Sequence, residues 1–363
     1  MLLFQLQTFT KPGFSRILLL LSGLSGLFFS CQPSGDQAVV RVVLPRTALR
    51  DAPGERGREI RTLAAQDQLT ELGVVSRFET QLRLGDQSLT APWLQVKAAD
   101  GQPGWVFSGA VQPLRPDTAW MLDKRMRCYV GDALTLRRDR WWATQAGVND
   151  AVGLAAYYHE ALALRDTFTY QLAHRAEPNA ADVHPDFSWL SKALPGFVFQ
   201  RVAQGTQPYL FTDYRYFQAL ALRTVDAQDD RWLALCLLAY PTDSVESIAP
   251  AWTLQVDEQQ VVSQLGLGKH WQLLQAIEFG LQTPTPLFQA DLLRMKEAIL
   301  EDLLGKNKIY WQTKKKILAE LNKILASPMA CLTPADRDAL ALRLGMFRNP
   351  AAYGLSVNQR AGE

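Results

Sequence analysis

The chain is poor in the residues that make chemistry easy to place. Among 363 residues there are four cysteines and four histidines. Cys128, Cys236 and Cys331 lie far apart, which excludes a C-x-x-C metal or redox signature. His159-Glu160 is not followed by the second histidine of an H-E-x-x-H zinc site. No G-x-S-x-G, Walker or dinucleotide-binding glycine pattern occurs. An excess of one charge is also missing: 38 Lys and Arg against 36 Asp and Glu leave a net +2, so there is no basic stripe to argue for nucleic acid. Long apolar runs are missing too. Ile17 to Phe29 is uncharged and apolar but falls short of the roughly 20 residues that span a bilayer.

What is present begins with that leader. Lys11 and Arg16 precede the apolar run, Ser30-Cys31 ends it, and Gln32-Pro33-Ser34-Gly35-Asp36 is polar. The segment resembles the signal peptide and lipobox of bacterial lipoproteins, with Phe28 where Leu is usual. The resemblance implies cleavage before Cys31, lipidation of that residue, and residence in the cell envelope, anchored to membrane lipid. An ordinary cleaved leader with an incidental cysteine is the alternative. The boundaries that follow are a leader over 1–31, a tether over 32–38, and two further domains. A hydrophobic fraction of 48% with 10% aromatics suits packed globular domains there.

Residues 39–114 read as short strands. Val39 to Leu44, Glu59 to Leu63, Gln68 to Leu72, Trp93 to Lys97 and Gly104 to Phe107 are β-branched, apolar or alternating. Asp51-Ala52-Pro53-Gly54 and Asp100-Gly101 are turn signals. Ala48-Leu49-Arg50-Asp51-Ala52-Pro53, then Ile60-x-x-Leu63, Leu69-x-x-Leu72-Gly73, Trp93-x-x-Val96, Asp100-Gly101-x-x-Gly104-Trp105-Val106 and Ala110-Val111 resemble bacterial SH3-like domains. This implies a small SH3-like β-barrel, with Val74 to Ala91 as an extended loop. It also implies contact with peptidoglycan or an envelope protein, or a spacer role. Phe78, Trp93 and Trp105 are the aromatic candidates for such a contact. Alternation places Trp93 near the core and Trp105 over the barrel end, leaving Phe78 as the exposed one.

Residues 115–348 carry helical periodicity and complete a β-then-α, multidomain fold class. Asn149-Asp150 can cap a helix running to about Arg175. Further helices are expected over Asp230 to Tyr240, Glu258 to Leu265, His270 to Leu281, Gln289 to Gly305, Ile309 to Ala326, and after Thr333-Pro334. Phe197 to Tyr216 is ambiguous and can form a hairpin across Gln204-Gly205-Thr206. Residues 349–363 read as a loose tail. Asp182, His184 and Asp186 share a polar loop that lacks the fixed geometry of a metal site. Cys128 with a later histidine has the order of a Cys-His hydrolase but none of its sequence context. The lysines of 306–323 read as the solvated face of a core-packed helix. No catalytic residue, metal or cofactor is assigned.

These features point to a lipid-anchored binding or scaffold protein. Its anchors in the helical half are expected at Trp141, Trp142, Tyr214 and Tyr216, beside Arg140 and Arg215 in loop-like segments. The competing class is a cell-wall hydrolase. Replacing Cys31 by serine is expected to release the protein from membranes, because each lipid methylene contributes about 0.8 kcal/mol of anchoring. Membrane fractionation checks this: a Cys31→Ser chain that has lost its leader and still pellets with membranes contradicts lipidation.

Overall fold

The computed structural model describes residues 38–84, 87–115, 117, 119–174, 187–202, 207–241, 243–246, 249–256, 260–283, 286–305 and 308–357. Cys31, the tether, Asp182, His184, Asp186 and the Gln204-Gly205-Thr206 turn lie outside them. Seven strands come first: β1 (Val39–Val42), β2 (Thr47–Arg50), β3 (Glu59–Leu63), β4 (Gln68–Leu84), β5 (Gln87–Ala98), β6 (Pro103–Phe107) and β7 (Val111–Pro113). They form one antiparallel sheet in the order β3-β2-β6-β5-β4-β1-β7, curled into a half-barrel. Arg50 braces the β2–β3 turn by donating from Nη1 to the carbonyls of Gly57 and Glu55.

Residues 74–84 and 87–91 are strand and not loop. They belong to a long hairpin in which β4 and β5 pair from Leu69↔Ala98 out to Leu84↔Gln87. The register slips between Glu71 and Val75 and again between Val75 and Glu79, and such bulges bend a strand and increase its twist. Gly73, at φ +77°, sits in the first bulge, where a side chain would be strained. Pro92 is tolerated because β6 pairs with β5 only from Trp93 onward, so no ladder N–H is lost there.

Two small cores fill the sheet. Val40, Val42, Leu49, Leu63, Leu69, Leu94, Val96 and Val106 form one. Trp93, Phe107, Ala91 and Ala110 form the other. Trp93 is 2% exposed, and its indole N–H donates to Thr80 Oγ1 at 2.8 Å. Trp105 is half-buried against the Trp93 cluster. Phe78, expected to be exposed, is also half-buried there, with its ring over Gly54. Trp93 therefore belongs to the core, and the sheet presents no open shelf made of these three rings.

Helices follow: α1 (Trp120–Thr144), α2 (Ala151–Ala173) and the single turn α3 (Leu190–Ala193). After the hairpin β8 (Phe197–Val202) and β9 (Gln207–Thr212) come α4 (Tyr214–Ala221) and α5 (Ala227–Ala239). The hairpin β10 (Thr253–Gln255) and β11 (Val261–Ser263) precedes α6 (Lys269–Leu281), α7 (Gln289–Leu304), α8 (Lys314–Ala326) and α9 (Pro334–Arg348). Asp150 caps α2 through Gly153 N, and Thr333 with Asp336 forms a capping box on α9. No helix among the described residues is long and apolar enough to cross a membrane.

Three expectations are corrected here. Val261-Val262-Ser263 forms a strand rather than part of a helix, in keeping with its β-branched pair. Ile309 and Tyr310 bridge Ser356 and Ser263 instead of starting a helix. The tail is held as far as residue 357: Tyr310 N donates to Ser356 O at 2.9 Å, and Leu355 is buried.

The sheet and helices share a polar seam. α1 starts with Trp120, whose ring completes the sheet core. Its indole N–H donates to Glu71 Oε1 at 2.7 Å, and Lys124 Nζ meets Glu71 Oε2 at 2.6 Å, all three residues being buried. One bulge further along β4, Glu79 accepts from Arg125 Nε and from the Tyr129 hydroxyl, each at 2.9 Å. Removing one partner of a buried ion pair strands the other charge, typically at about 3–5 kcal/mol. Glu71→Ala is accordingly expected to lower unfolding stability by about that amount, read as a fall in urea midpoint, while Asp100→Ala, on the exposed pair with Arg61, costs about 1 kcal/mol or less.

Candidate functional site

Two concave features lie on opposite faces of α2. The first is a groove between α1 and α2 with a volume of about 780 Å³. Trp141 and Tyr157 form its floor, Ala156 and Gly153 one wall, and Arg137, Arg140 and Glu160 its charged rim. Gly147 and Val148, in the α1–α2 connection, open one end. The floor is rigid. Trp141 and Tyr157 stack at 4.8 Å, and the Trp141 indole donates to Tyr157 O. The Tyr157 and Tyr216 hydroxyls lie 2.8 Å apart, and Gln145 donates to Tyr216 at 3.0 Å. Arg137 is tied to Glu160 at 2.8 Å, whereas Arg140 is exposed and has no ion-pair partner among the described residues.

The second feature is a half-open cavity of about 220 Å³ bordered by α2, α4, α5, α7 and the segment after α5. Tyr158, Tyr214, Trp232, Tyr240 and Trp252 supply aromatic wall, and Arg165, Glu246, Asp291 and Arg294 supply charge. Local structure sets each of these. Tyr214 opens α4 behind the Asp213 cap. Glu246 N donates to Thr212 O, which brings the Glu246 carboxylate onto Thr212 Oγ1 at 2.9 Å and Arg165 Nη1 at 2.7 Å. Asp291 lies in the first turn of α7, where the helix dipole favours a carboxylate, and meets His159 Nε2 at 2.7 Å. Burial raises the Tyr158, Tyr214 and Tyr240 phenols, so all three remain protonated at neutral pH.

The anchors expected in loops are in helices. Trp141 and Trp142 end α1, and Tyr214 and Tyr216 begin α4. Trp141 is 2% exposed and floors the groove, so its ring is packed rather than offered as a shelf. Trp142 is 39% exposed but stands outside the groove lining, edge-on to Trp141. Tyr214 lines the small cavity, and Tyr216 is a strut behind the groove floor. Arg165, Glu246 and Asp291 went unnoticed in the sequence. Asp291 directly after Gln289-Ala290 has the position of a first-turn carboxylate, a signal for a helix start but not for a cavity.

Other polar clusters are structural. Cys128, Cys236 and Cys331 are buried and form no disulfide with one another. Burial pushes the Cys236 thiol well up and the Cys331 thiol to about 12, which removes the thiolate a nucleophile needs. Among the described residues no group of His, Cys, Asp and Glu is placed to hold a metal. Ser263, Asp302 and His270 have the composition of a catalytic triad but the wrong connectivity. Ser263 Oγ and His270 Nε2 both meet Asp302 Oδ2, at 2.5 and 2.9 Å, and all three residues are buried. The glycine pair Gly266 and Gly268 donates its N–H groups to Glu320 at 2.6 and 2.8 Å, joined by Trp271 N. This anion cradle is filled by the protein's own carboxylate. The α8 lysines are largely engaged too: Lys314 donates to Arg348 O, and Lys323 lies 3.2 Å from the centre of the Trp271 ring.

No protein-family model, characterised protein or solved structure matches this chain.

Burial acts to raise the Asp302 carboxyl, but hydrogen bonds from His270 and Ser263 and the nearby Lys308 charge outweigh it and hold it below its ordinary value. A carboxyl lowered on folding stabilises above its unfolded pKa of about 3.9, and that contribution is lost as pH falls through the folded value. Stability is therefore expected to drop on acidification below about pH 4. Asp302→Asn should lower stability at pH 7 and flatten that acid slope, measured by urea unfolding across pH.

Proposed function

We propose that this protein is a lipid-anchored component of the bacterial cell envelope that binds an extended ligand in the groove between α1 and α2. The groove is the observation that carries the reading. It is open, long and mostly apolar, and its rim holds an uncommitted Arg140 beside the Arg137–Glu160 pair. That combination suits a chain-like partner with apolar segments and scattered carboxylates, such as the peptide stems of peptidoglycan or a peptide segment of an envelope protein. In this reading the curled sheet is an SH3-like domain. Supporting this are the motif spacing from Ala48 to Val111 and the antiparallel strands into which those residues fall. Its aromatic residues pack inward, so its role is to carry and orient the helical part relative to the lipid at Cys31.

A Ser-His or Cys-His hydrolase with an accessible base would draw on His159 and Asp291, an imidazole oriented by a carboxylate. Among the described residues no serine, threonine or cysteine hydrogen-bonds His159, so binding is the better-supported class.

Co-sedimentation of the full chain with purified peptidoglycan sacculi tests the proposal. Ala156 is exposed on the groove wall, so Ala156→Trp fills the groove without entering the core. That variant and Arg140→Glu are each expected to weaken retention about tenfold, equivalent to 1.4 kcal/mol. Equal retention of both variants and wild type would place peptidoglycan binding elsewhere. No retention of wild type would leave peptidoglycan out as the ligand.

A further inference from the structure

The cavity on the other face of α2 has a different character from the groove, and its contents do not depend on the envelope reading. Its volume of about 220 Å³ gives room for a small organic molecule. Its charged lining balances: Arg165 and Arg294 against Glu246 and Asp291. A ligand of net charge would leave one of these uncompensated in a low-dielectric wall.

The two ion pairs differ. Arg165 and Glu246 are closed to newcomers. Arg165 Nη1 donates to both Glu246 and Thr212, and its remaining nitrogens hold Asp166. Asp291 and Arg294 are open. Their closest approach is 3.6 Å, and the Arg294 side chain is 72% exposed at the cavity mouth. One Asp291 oxygen is used by His159 and the other faces only this long contact.

Unused donors lie nearby. Tyr158 is 3% exposed and lines the cavity, and its hydroxyl has no hydrogen-bond partner among the described residues. The indole N–H of Trp232, also in the wall, is buried without a partner. Of these two, the Tyr158 hydroxyl can donate to an acceptor arriving in the cavity. Tyr214 and Tyr240, stacked at 5.4 Å, leave apolar wall for a ligand body.

We propose that this cavity binds a small zwitterion of the free α-amino acid type, its ammonium on Asp291, its carboxylate on Arg294 and the Tyr158 hydroxyl, and its side chain against the aromatic wall. Splitting the long Asp291–Arg294 contact gives each charge a closer partner and leaves the net charge of the cavity at zero.

Isothermal titration calorimetry of the full chain tests this with the standard amino acids in both enantiomers. For any that binds, the probes continue with its N-acetyl and methyl ester derivatives, with choline and glucose as unlike ligands. At least one free amino acid is expected to bind, and capping either end should weaken it tenfold or more. Tyr158→Phe removes only the hydroxyl, and Arg294→Gln changes an exposed side chain. With circular dichroism unchanged, each should weaken binding about tenfold. Absence of binding by every amino acid overturns the proposal, as do capped derivatives that bind equally, preference for choline or glucose, or variants that bind like wild type.

Discussion

The carboxylate of Glu71 is the point on which the rest of the architecture depends. It stands on a bulged strand and accepts the indole N–H of Trp120 and the ammonium of Lys124 away from water. Buried charges persist only where such partners satisfy them. Once Glu71, Trp120 and Lys124 are engaged, α1 has one direction of departure from the sheet. Glu79, a bulge further along, repeats the arrangement with Arg125 and Tyr129 and fixes the helix's rotation as well. From Ala38 onward the protein is one compact unit. Gly131, at φ +80° and ψ 171°, then breaks α1 so that its second half can lie along α2. A Cβ there would also meet the Arg77 guanidinium at 2.7 Å.

α2 is the shared wall of both concave features. Gly153, Ala156, Tyr157 and Glu160 face the groove, and Tyr158, Leu162 and Arg165 face the cavity. Adjacent residues Tyr157 and Tyr158 thus serve opposite sides, as a 100° step per residue and long side chains permit. The groove is shallow and open, suited to part of something larger. The cavity is narrow and lined with charges, suited to something small. The Ser263–Asp302–His270 knot and the Glu320 cradle show the contrast with a site: their polar atoms are mostly spent on one another.

How much was legible in the sequence follows from how local the determining physics is. Asp150 and Thr333 announced helix starts because a cap is decided within three residues. The β-branched and aromatic content of Phe197 to Tyr216 permits a hairpin without requiring one, and β8 and β9 pair as its arms. The β4–β5 extension was read as a loop because the polar alternates Arg77, Glu79, Gln81 and Arg83 mask the sparse apolar face of Phe78 and Leu82. The two strands pair across the ladder, and Glu79 is held besides by Arg125 and Tyr129 of α1. Trp141 and Trp142 looked like loop residues because α1 buries different faces along its length, against the sheet first and α2 later, which blurs helical periodicity. The cavity was invisible for a stronger reason. Arg165, Glu246 and Asp291 come from three distant segments, and only the packing of α2, α5 and α7 brings them together.

The position of β1 in the sheet fixes an order of events during synthesis. β1 leaves the ribosome first, yet it pairs on one side with β4 and on the other with β7, the last strand of the sheet. Its Val40 and Val42 are covered only when Val111 has arrived, and the core they belong to is complete only with Trp120. A nascent chain interrupted between residues 113 and 120 therefore displays a seven-stranded sheet whose apolar interior lacks its last ring and whose Glu71 lacks its cation. That is the exposed state in which chaperones and proteases compete with folding.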